Sequence, residues 1–251
     1  MSDDSLYSII EDAKQLVKQS ANKNGMLKVS PEVAALFEGI VGSTGGADVA
    51  APALVTESPE IVGGTLEELA ATVSECMKCD LCKTRTQTVF SDGNGSAGLV
   101  FVGEAPGENE DKQGVPFVGR AGELLTDIIV KGMKLRREDV YICNVLKCRP
   151  PGNRDPLPEE KDKCEPYLQR QLELIQPKVI CALGGHAAKT LLKTEESTGR
   201  LRGRWHSYQG IPLRVTYHPA YLLRSPGEKR KTWEDVQEIM KVLNGEITPT
   251  P

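Results

Sequence analysis

From residue 99 onward, the chain alternates short apolar runs with longer amphipathic segments. The apolar runs, each bounded by turn-forming residues, predict strands at 99–102, 140–143, 179–183 and 213–217. The amphipathic segments predict helices at 122–133, 158–175, 185–192 and 232–243. Because buried strands that alternate with helices form a parallel sheet covered on both faces, this pattern predicts an α/β fold.

The amino-terminal part of the chain has a different pattern. Apolar residues recur at helical spacing over residues 4–20, which predicts an amphipathic helix within an appendage of residues 1–40. Residues 41–66 are rich in Gly, Ala and Pro and favour a flexible linker. The folded domain is then expected to span residues 67–247, with a first helix that runs up to Cys76. The amino-terminal helix is either a docking element for a protein partner or a loosely attached appendage.

Apolar length and cysteine usage bear on the compartment. No apolar stretch reaches membrane-spanning length, and the amino terminus is acidic before its first apolar residues. We therefore expect neither a secretory signal nor contact with a membrane. The chain has seven cysteines, an odd number, which favours thiols kept reduced or bound to metal over a disulfide framework. The expected location is the cytoplasm.

Charge is distributed unevenly. The net charge is −4, but residues 1–75 carry 12 acidic and 4 basic residues, so residues 76–251 have a net charge of +4. The basic residues of this second part form two clusters, Arg200, Arg202 and Arg204, and Arg224, Lys229, Arg230 and Lys231. From charge alone, these clusters fit a phosphate backbone and an ordinary solvated surface equally well.

Four cysteines form a two-plus-two set. Cys76 and Cys79 make a C-x-x-C pair, while Cys148 and Cys164 flank the proline-rich segment 149–154. Such a set is typical of a metal centre that joins distant segments. The segment between Cys148 and Cys164 is too long for a second zinc-ribbon knuckle, which favours an iron–sulfur cluster over zinc. A redox pair with two buried thiols is the remaining alternative. The other cysteines are Cys82, which the pattern does not assign, and Cys143 and Cys181, which lie in apolar runs typical of buried thiols.

Chemically suggestive residues follow three of the predicted strands. In a parallel α/β sheet, ligands bind beyond the carboxyl ends of the strands. The glycine spacing of the loop after the first strand does not match a dinucleotide fingerprint. The residues at these three strand ends are the carboxylates Glu104, Glu110 and Asp111, the aromatic Phe117, the amide of Asn144 and the imidazole of His218. Their joint position predicts a functional site at one edge of the sheet.

Three segments, together with the cysteine spacing, resemble the family 4 uracil-DNA glycosylases, the iron–sulfur branch of the uracil-DNA glycosylase superfamily. The segments are GEAPGENED (103–111), YICNVLKCRPPGNR (141–154) and HPAYLLR (218–224). The resemblance covers about residues 76–243 and implies a three-layer α/β/α sandwich around a central four-stranded parallel sheet. It also implies a DNA-repair enzyme that flips uracil out of single- or double-stranded DNA and hydrolyses its N-glycosidic bond. The products are uracil and an abasic site, and we expect a monomer.

The resemblance assigns roles to individual residues. The four cysteines Cys76, Cys79, Cys148 and Cys164 match the ligands of a [4Fe-4S] cluster, with Cys82 outside the set. The implied catalytic residues are Glu104, Glu110, Asp111 and His218, and the implied substrate-binding residues are Ala105, Phe117, Asn144, Tyr221, Leu222 and Arg224. In this scheme Phe117 stacks on the flipped base, and Asn144 reads the uracil edge. His218 donates a hydrogen bond to the developing charge at uracil O2, while Glu104 orients water or stabilises the sugar cation.

A second hypothesis is a non-catalytic iron–sulfur protein that binds nucleic acid or senses redox state. Such a protein would keep the cysteines and the basic residues. It would not need Glu104, Phe117, Asn144 and His218 together, and their joint presence favours the enzyme.

Overall fold

A mixed sheet forms the centre of residues 64–249, the part of the chain that the computed structural model describes. Its six strands are β1 (Asp92–Gly93), β2 (Leu99–Gly103), β3 (Tyr141–Asn144), β4 (Val179–Leu183), β5 (Trp205–Tyr208) and β6 (Ile211–Thr216). Their order across the sheet is β1-β3-β2-β4-β6-β5. The inner four strands pair in parallel, and β1 and β5 pair antiparallel at the two edges.

Helices follow most of the strands. Within residues 64–249 the α-helices are α1 (Leu66–Ser74), α2 (Glu108–Gln113), α3 (Arg120–Asp127), α4 (Pro158–Ile175), α5 (Gly185–Leu192), α6 (Thr198–Leu201), α7 (Pro219–Arg224) and α8 (Lys229–Leu243). A π-helical turn extends α3 over Ile128–Gly132, and 3₁₀ turns lie at Asp80–Lys83, Arg137–Asp139, Pro151–Asn153 and Pro226–Glu228. None of the helices in this part of the chain is long and apolar enough to cross a bilayer.

The inner strands have apolar residues on both faces, because successive side chains of a strand point to opposite sides. Val100 and Val102 of β2 pack into one buried cluster with residues of α1, α4 and α5. Leu99 and Phe101 of the same strand pack into a second cluster with residues of α3 and α8. Helices therefore cover both faces, and the predicted α/β/α sandwich with four parallel central strands is confirmed.

The prediction of a four-stranded sheet was incomplete at both edges. β1 has only two residues, too few for a periodic pattern. β5 is partly exposed and joins β6 through a two-residue turn at Gln209 and Gly210, whose φ angles are 49° and 84°. Positive φ at both turn positions is the geometry of a tight hairpin. β6 ends at Thr216, so His218 lies beyond the strand, as the residue that caps α7.

The first helix of the described residues begins with a capping box. Thr65 is the N-cap of α1, and its hydroxyl accepts a hydrogen bond from the Glu68 N–H at 3.2 Å. The Glu68 carboxylate accepts from the Thr65 N–H in return, at 3.3 Å. This capping box places residues 65 and 66 in the domain rather than in the linker. The predicted helix at 4–20, the rest of the appendage and the linker up to residue 63 lie outside the described residues.

A buried ion-pair network ties the carboxyl-terminal helix to the sheet. Asp235 of α8 is 0% exposed, and its carboxylate pairs with Arg214 of β6 at 3.2 Å and with Arg202 at 3.1 Å. Arg202 also donates to the carbonyl of Lys231. Arg202 is thus held by the protein itself, although the sequence pattern had placed it in a basic surface cluster.

Candidate active site

A cavity of about 570 Å³ opens at the carboxyl ends of the parallel strands. Eight of the ten predicted catalytic and substrate-binding residues line it: Glu104, Ala105, Glu110, Phe117, Asn144, His218, Tyr221 and Arg224. They come from the loop after β2, the end of β3 and the α7 region. The topology therefore brings together residues that lie more than a hundred positions apart in the sequence.

The other two predicted residues lie elsewhere. Asp111 is 3% exposed, and its carboxylate accepts hydrogen bonds from the Thr86 N–H at 3.0 and 3.1 Å. This contact ties α2 to the segment before β1. Leu222 is 1% exposed and is, with Pro219, one of the two buried residues of α7. Neither residue lines the cavity, whereas Tyr221, its ring 5.0 Å from that of Tyr217, is exposed at the rim.

An amide and an aromatic ring, those of Asn144 and Phe117, line the cavity beside Gly103. Asn144 is 2% exposed, and its Oδ1 atom is buried without a hydrogen-bond partner among the described residues. Gly103 lies directly beneath this pair. A Cβ atom at Gly103 would lie 2.3 Å from Asn144 Oδ1 and 2.6 Å from Phe117 Cζ. Only glycine at this position leaves room for both side chains.

Glu110 fixes the loop that carries Phe117. One oxygen of its carboxylate accepts hydrogen bonds from the backbone N–H groups of Val118 at 3.1 Å and Gly119 at 3.2 Å. Phe117 itself has a left-handed backbone, with φ of 54°. A non-glycine residue keeps this conformation only where the surroundings hold it, and the Glu110 carboxylate does so at the start of α3. Glu110 thus orients the aromatic face of the cavity.

His218 has a defined tautomer. Its Nδ1 atom accepts a hydrogen bond from the Ala220 N–H at 3.1 Å, as the N-cap of α7. Burial and, to a smaller extent, the positive charge of Arg224 lower the pKa of His218 to about 4, against the opposing effect of Glu110. The imidazole is therefore neutral near pH 7. Because Nδ1 is the acceptor, Nε2 carries the proton and can donate it in a hydrogen bond.

The Glu104 carboxylate lies close to two other ionisable side chains, His186 and Asp155. Burial raises the pKa of the Glu104 carboxyl above its usual range; His186 opposes this change and Asp155 adds to it. His186 Nδ1 lies 3.9 Å from Glu104 Oε1. The sequence reasoning missed both His186 and Asp155, which line the same cavity. The signal that could have found His186 is Gly184-Gly185, at the carboxyl end of the one parallel strand that the prediction left without a site residue.

The four predicted metal ligands lie around one small cavity, on the side of α1 and α4. Its lining includes Cys76, Cys79, Cys148 and Cys164, together with Cys82 and Arg85. The Arg85 guanidinium donates to Cys148 Sγ at 3.2 Å, and the Lys147 N–H donates to Cys164 Sγ at 3.3 Å. Burial raises the pKa values of the Cys79, Cys148 and Cys164 thiols. All seven cysteines of the chain are free thiols.

Buried thiolates need a positive partner, so this cysteine set is chemically suited to a metal centre. The segment between Cys148 and Cys164 serves both sites. Pro150, Asn153, Arg154 and Asp155, all on this segment, line the larger cavity. The two cysteines at its ends line the smaller one.

Comparison with known proteins agrees with this arrangement. A family profile described as the uracil DNA glycosylase superfamily matches residues 90–237. The Type-4 uracil-DNA glycosylase of Archaeoglobus fulgidus is 47% identical over 194 residues, which cover 74% of this chain and 96% of the relative. That of Saccharolobus solfataricus is 44% identical over 187 residues, 71% of this chain and 87% of the relative. The Type-5 uracil-DNA glycosylase of Pyrobaculum aerophilum is 30% identical over 151 residues, 59% of this chain and 64% of the relative.

The chain therefore belongs to the uracil DNA glycosylase superfamily, and within it to the Type-4 family. The resemblance read from the three sequence segments is confirmed.

Proposed function

We propose that this protein excises uracil from DNA by hydrolysing the N-glycosidic bond, which leaves an abasic site for repair. The observation that carries the proposal is the Oδ1 atom of Asn144, which lines the cavity, is buried and has no hydrogen-bond partner within residues 64–249. A buried acceptor without a partner costs free energy, which a ligand with a suitably placed N–H group recovers. Uracil offers such a group at N3. The adjacent Phe117 ring offers a face on which a planar base can stack.

Recognition depends on the two ends of the Asn144 amide. Oδ1 accepts from uracil N3–H, and Nδ2 donates to O4. Cytosine has an unprotonated N3 and an amino group at position 4, so both contacts with Asn144 would be mismatched. A site built for these hydrogen bonds rejects a base that leaves its buried polar groups unpaired.

The chemical step is a charge separation. Cleavage of the N-glycosidic bond leaves negative charge on the base, chiefly near O2, and positive charge on the sugar. We assign the neutral His218 as the donor to O2 through Nε2–H, a contact that strengthens as the charge develops. We assign ionised Glu104 to orient the attacking water and to stabilise the sugar cation. Tyr221, exposed at the rim, is the residue of the 218–224 segment best placed to occupy the space left by the flipped nucleotide.

Uracil excision is tested directly with an oligonucleotide that contains one uracil. The purified protein should convert it to a product that breaks at the uracil position on heating in alkali, with an equal amount of free uracil released. A matched oligonucleotide with cytosine at that position is the control and should stay intact. If neither product forms, the proposed function is wrong.

Asn144→Asp tests the recognition step. The carboxylate can only accept hydrogen bonds, so it opposes uracil O4 and leaves that contact mismatched, at a cost of about 1–3 kcal/mol. We expect uracil excision to be roughly ten- to a hundred-fold slower. The quantity to compare is the slope of the single-turnover rate against concentration when the reactants are below saturation. A variant with the wild-type rate would remove Asn144 from the recognition role.

We further propose that Cys76, Cys79, Cys148 and Cys164 hold a [4Fe-4S] cluster. Around a single zinc ion, with Zn–S bonds of about 2.3 Å, the thiolates would lie roughly 3.8 Å apart. Within residues 64–249, no three cysteine sulfur atoms all lie within 4.8 Å of one another. The wider spacing supports a polynuclear cluster. When bound, the cluster would join the segment after α1 to the segment that lines the active-site cavity, and it would supply stability rather than chemistry.

Cys164→Ser is expected to remove the iron and the brown colour of the purified protein, because one of four thiolate ligands is lost. The measurement is iron and sulfide content together with the visible absorption spectrum. The matched control is Cys82→Ser, which changes a thiol in the same cavity outside the ligand set and should keep the cluster. Stoichiometric zinc without iron in the wild-type protein would contradict the proposal.

The partner is uracil-containing DNA, single- or double-stranded, bound by a monomer. Arg224 lies at the rim of the cavity and is suited to a phosphate contact. We propose the cytoplasm as the location, because seven cysteines that form no disulfide with one another are typical of a reducing compartment.

A further inference from the structure

His186 lies between two carboxylates in the active-site cavity. Its Nδ1 atom is 3.9 Å from Glu104 Oε1, and its Nε2 atom is 3.7 Å from Asp155 Oδ2. The His186 side chain is 40% exposed, that of Glu104 26% and that of Asp155 80%, so Glu104 is the most buried of the three. In this arrangement the imidazole has a carboxylate oxygen within 4 Å of each ring nitrogen.

Three separate parts of the fold bring these residues together. Glu104 follows β2, Asp155 lies on the segment between Cys148 and Cys164, and His186 is the second residue of α5. All three line the cavity that contains Asn144 and His218. The tertiary fold therefore places His186 beside Glu104, the carboxylate to which we assign the attacking water.

We propose that protonated His186 is a positioning residue that keeps the Glu104 carboxylate ionised and oriented in the active site, while Asp155 holds the imidazolium from the other side. The inference rests on the proposed function, in which the ionised form of Glu104 is the active form. It adds a residue that the reaction scheme drawn from the sequence did not contain.

The charges around Glu104 support this role. Burial raises the pKa of its carboxyl, and of the charged groups that face it, His186 and Lys161 lower this pKa while Asp155 raises it. Of the two cations, His186 has the larger effect. The charge of His186 also lowers the pKa of His218. A single positive charge thus favours both the anionic carboxylate and the neutral imidazole that the reaction needs.

The charge of His186 should affect the acidic limb of the pH–rate profile in a definite direction. The rate rises with pH as Glu104 becomes ionised, so the acidic limb of the pH–rate profile follows the pKa of this carboxyl. Without the nearby cation, this pKa rises and the limb moves to higher pH. Opposite charges about 4 Å apart in a water-like medium change a pKa by about 0.7 pH unit.

The test is the pH dependence of single-turnover excision of uracil by His186→Gln, compared with the wild-type protein. Gln keeps a polar side chain but removes the charge. The acidic limb of the variant should lie about 0.7 pH unit higher than that of the wild-type protein, so that at a given pH on this limb the rate is about five-fold lower. The two rates should converge at higher pH. His186→Lys keeps a cation and should keep the limb at or below its wild-type position. His206→Gln is the control, since His206 contacts the carbonyl of Leu201 outside this cavity and should leave the profile unchanged.

Coincident acidic limbs for His186→Gln and the wild-type protein would overturn the inference. An equal loss of rate at every pH, not restored by His186→Lys, would also overturn it, because it would indicate a structural role only. Absence of uracil excision by the wild-type protein at all pH values would instead overturn the proposed function, and this inference with it.

Discussion

His218→Ala is expected to lower the single-turnover rate of uracil excision about 100- to 1000-fold, since removal of one preorganised donor to a developing anion costs about 2.7–4 kcal/mol. The affinity for uracil-containing DNA should stay nearly unchanged, because the contact strengthens only as charge reaches O2. The measurement is the cleavage rate of pre-bound substrate alongside a binding titration. Arg224→Ala provides a contrast, as it should weaken binding and reduce its salt dependence. Loss of binding with an intact cleavage rate in His218→Ala would contradict the assignment.

The pH dependence of this effect distinguishes a neutral from a charged donor. The folded-state pKa of His218 is lowered from 6.5 to about 4, so the imidazole stays neutral as the pH falls through 6.5. The ratio of the wild-type rate to the His218→Ala rate should therefore be constant on both sides of pH 6.5. A ratio that rises as the pH falls through this value would indicate that an imidazolium is the donor.

Asp235→Ala is expected to lower the free energy of unfolding by about 3–5 kcal/mol, because it leaves the buried Arg214 and the partly buried Arg202 without their shared partner. Asp235 is fully buried, and its carboxylate is paired with Arg202 and Arg214. The measurement is denaturant unfolding of the wild-type protein and the variant. If the dependence of the free energy of unfolding on denaturant concentration has the same slope in both, the shift in midpoint gives the difference in stability.

The control for this variant is Glu238→Ala, on the same helix. Glu238 pairs with Lys241 at 2.7 Å on a partly exposed surface, and such a pair contributes about 0–1 kcal/mol. Similar losses for Asp235→Ala and Glu238→Ala would show that the buried network does not stabilise the domain more than a surface pair does.

The parallel core was predictable from sequence because each inner strand is a continuous apolar run with a helix after it. The edges were not predictable in the same way. β1 has two residues, and β5 reads as part of a loop because its pairing depends on β6 and on the turn at Gln209 and Gly210. Secondary structure that depends on a tertiary partner leaves little periodic signal in the sequence.

The candidate site was predictable where a residue directly follows a strand. Asn144 ends β3 and Glu104 follows β2, and both line the cavity. His186 was missed because it lies inside an ordinary helical pattern, one residue beyond the start of α5. Leu222 was assigned to substrate binding from its place in a motif, yet it is one of the buried residues of α7. A linear motif does not state which of its residues face the solvent.

The close packing around Gly103 limits how this enzyme can evolve. A methyl group added at Gly103 would collide with both the Asn144 amide and the Phe117 ring. A substitution at this position therefore cannot shift one of these side chains without also displacing the other. A substitution at Gly103 is therefore no route to a cavity that accepts another base. We expect descendants with altered base preference to have changed Asn144 itself in one abrupt step.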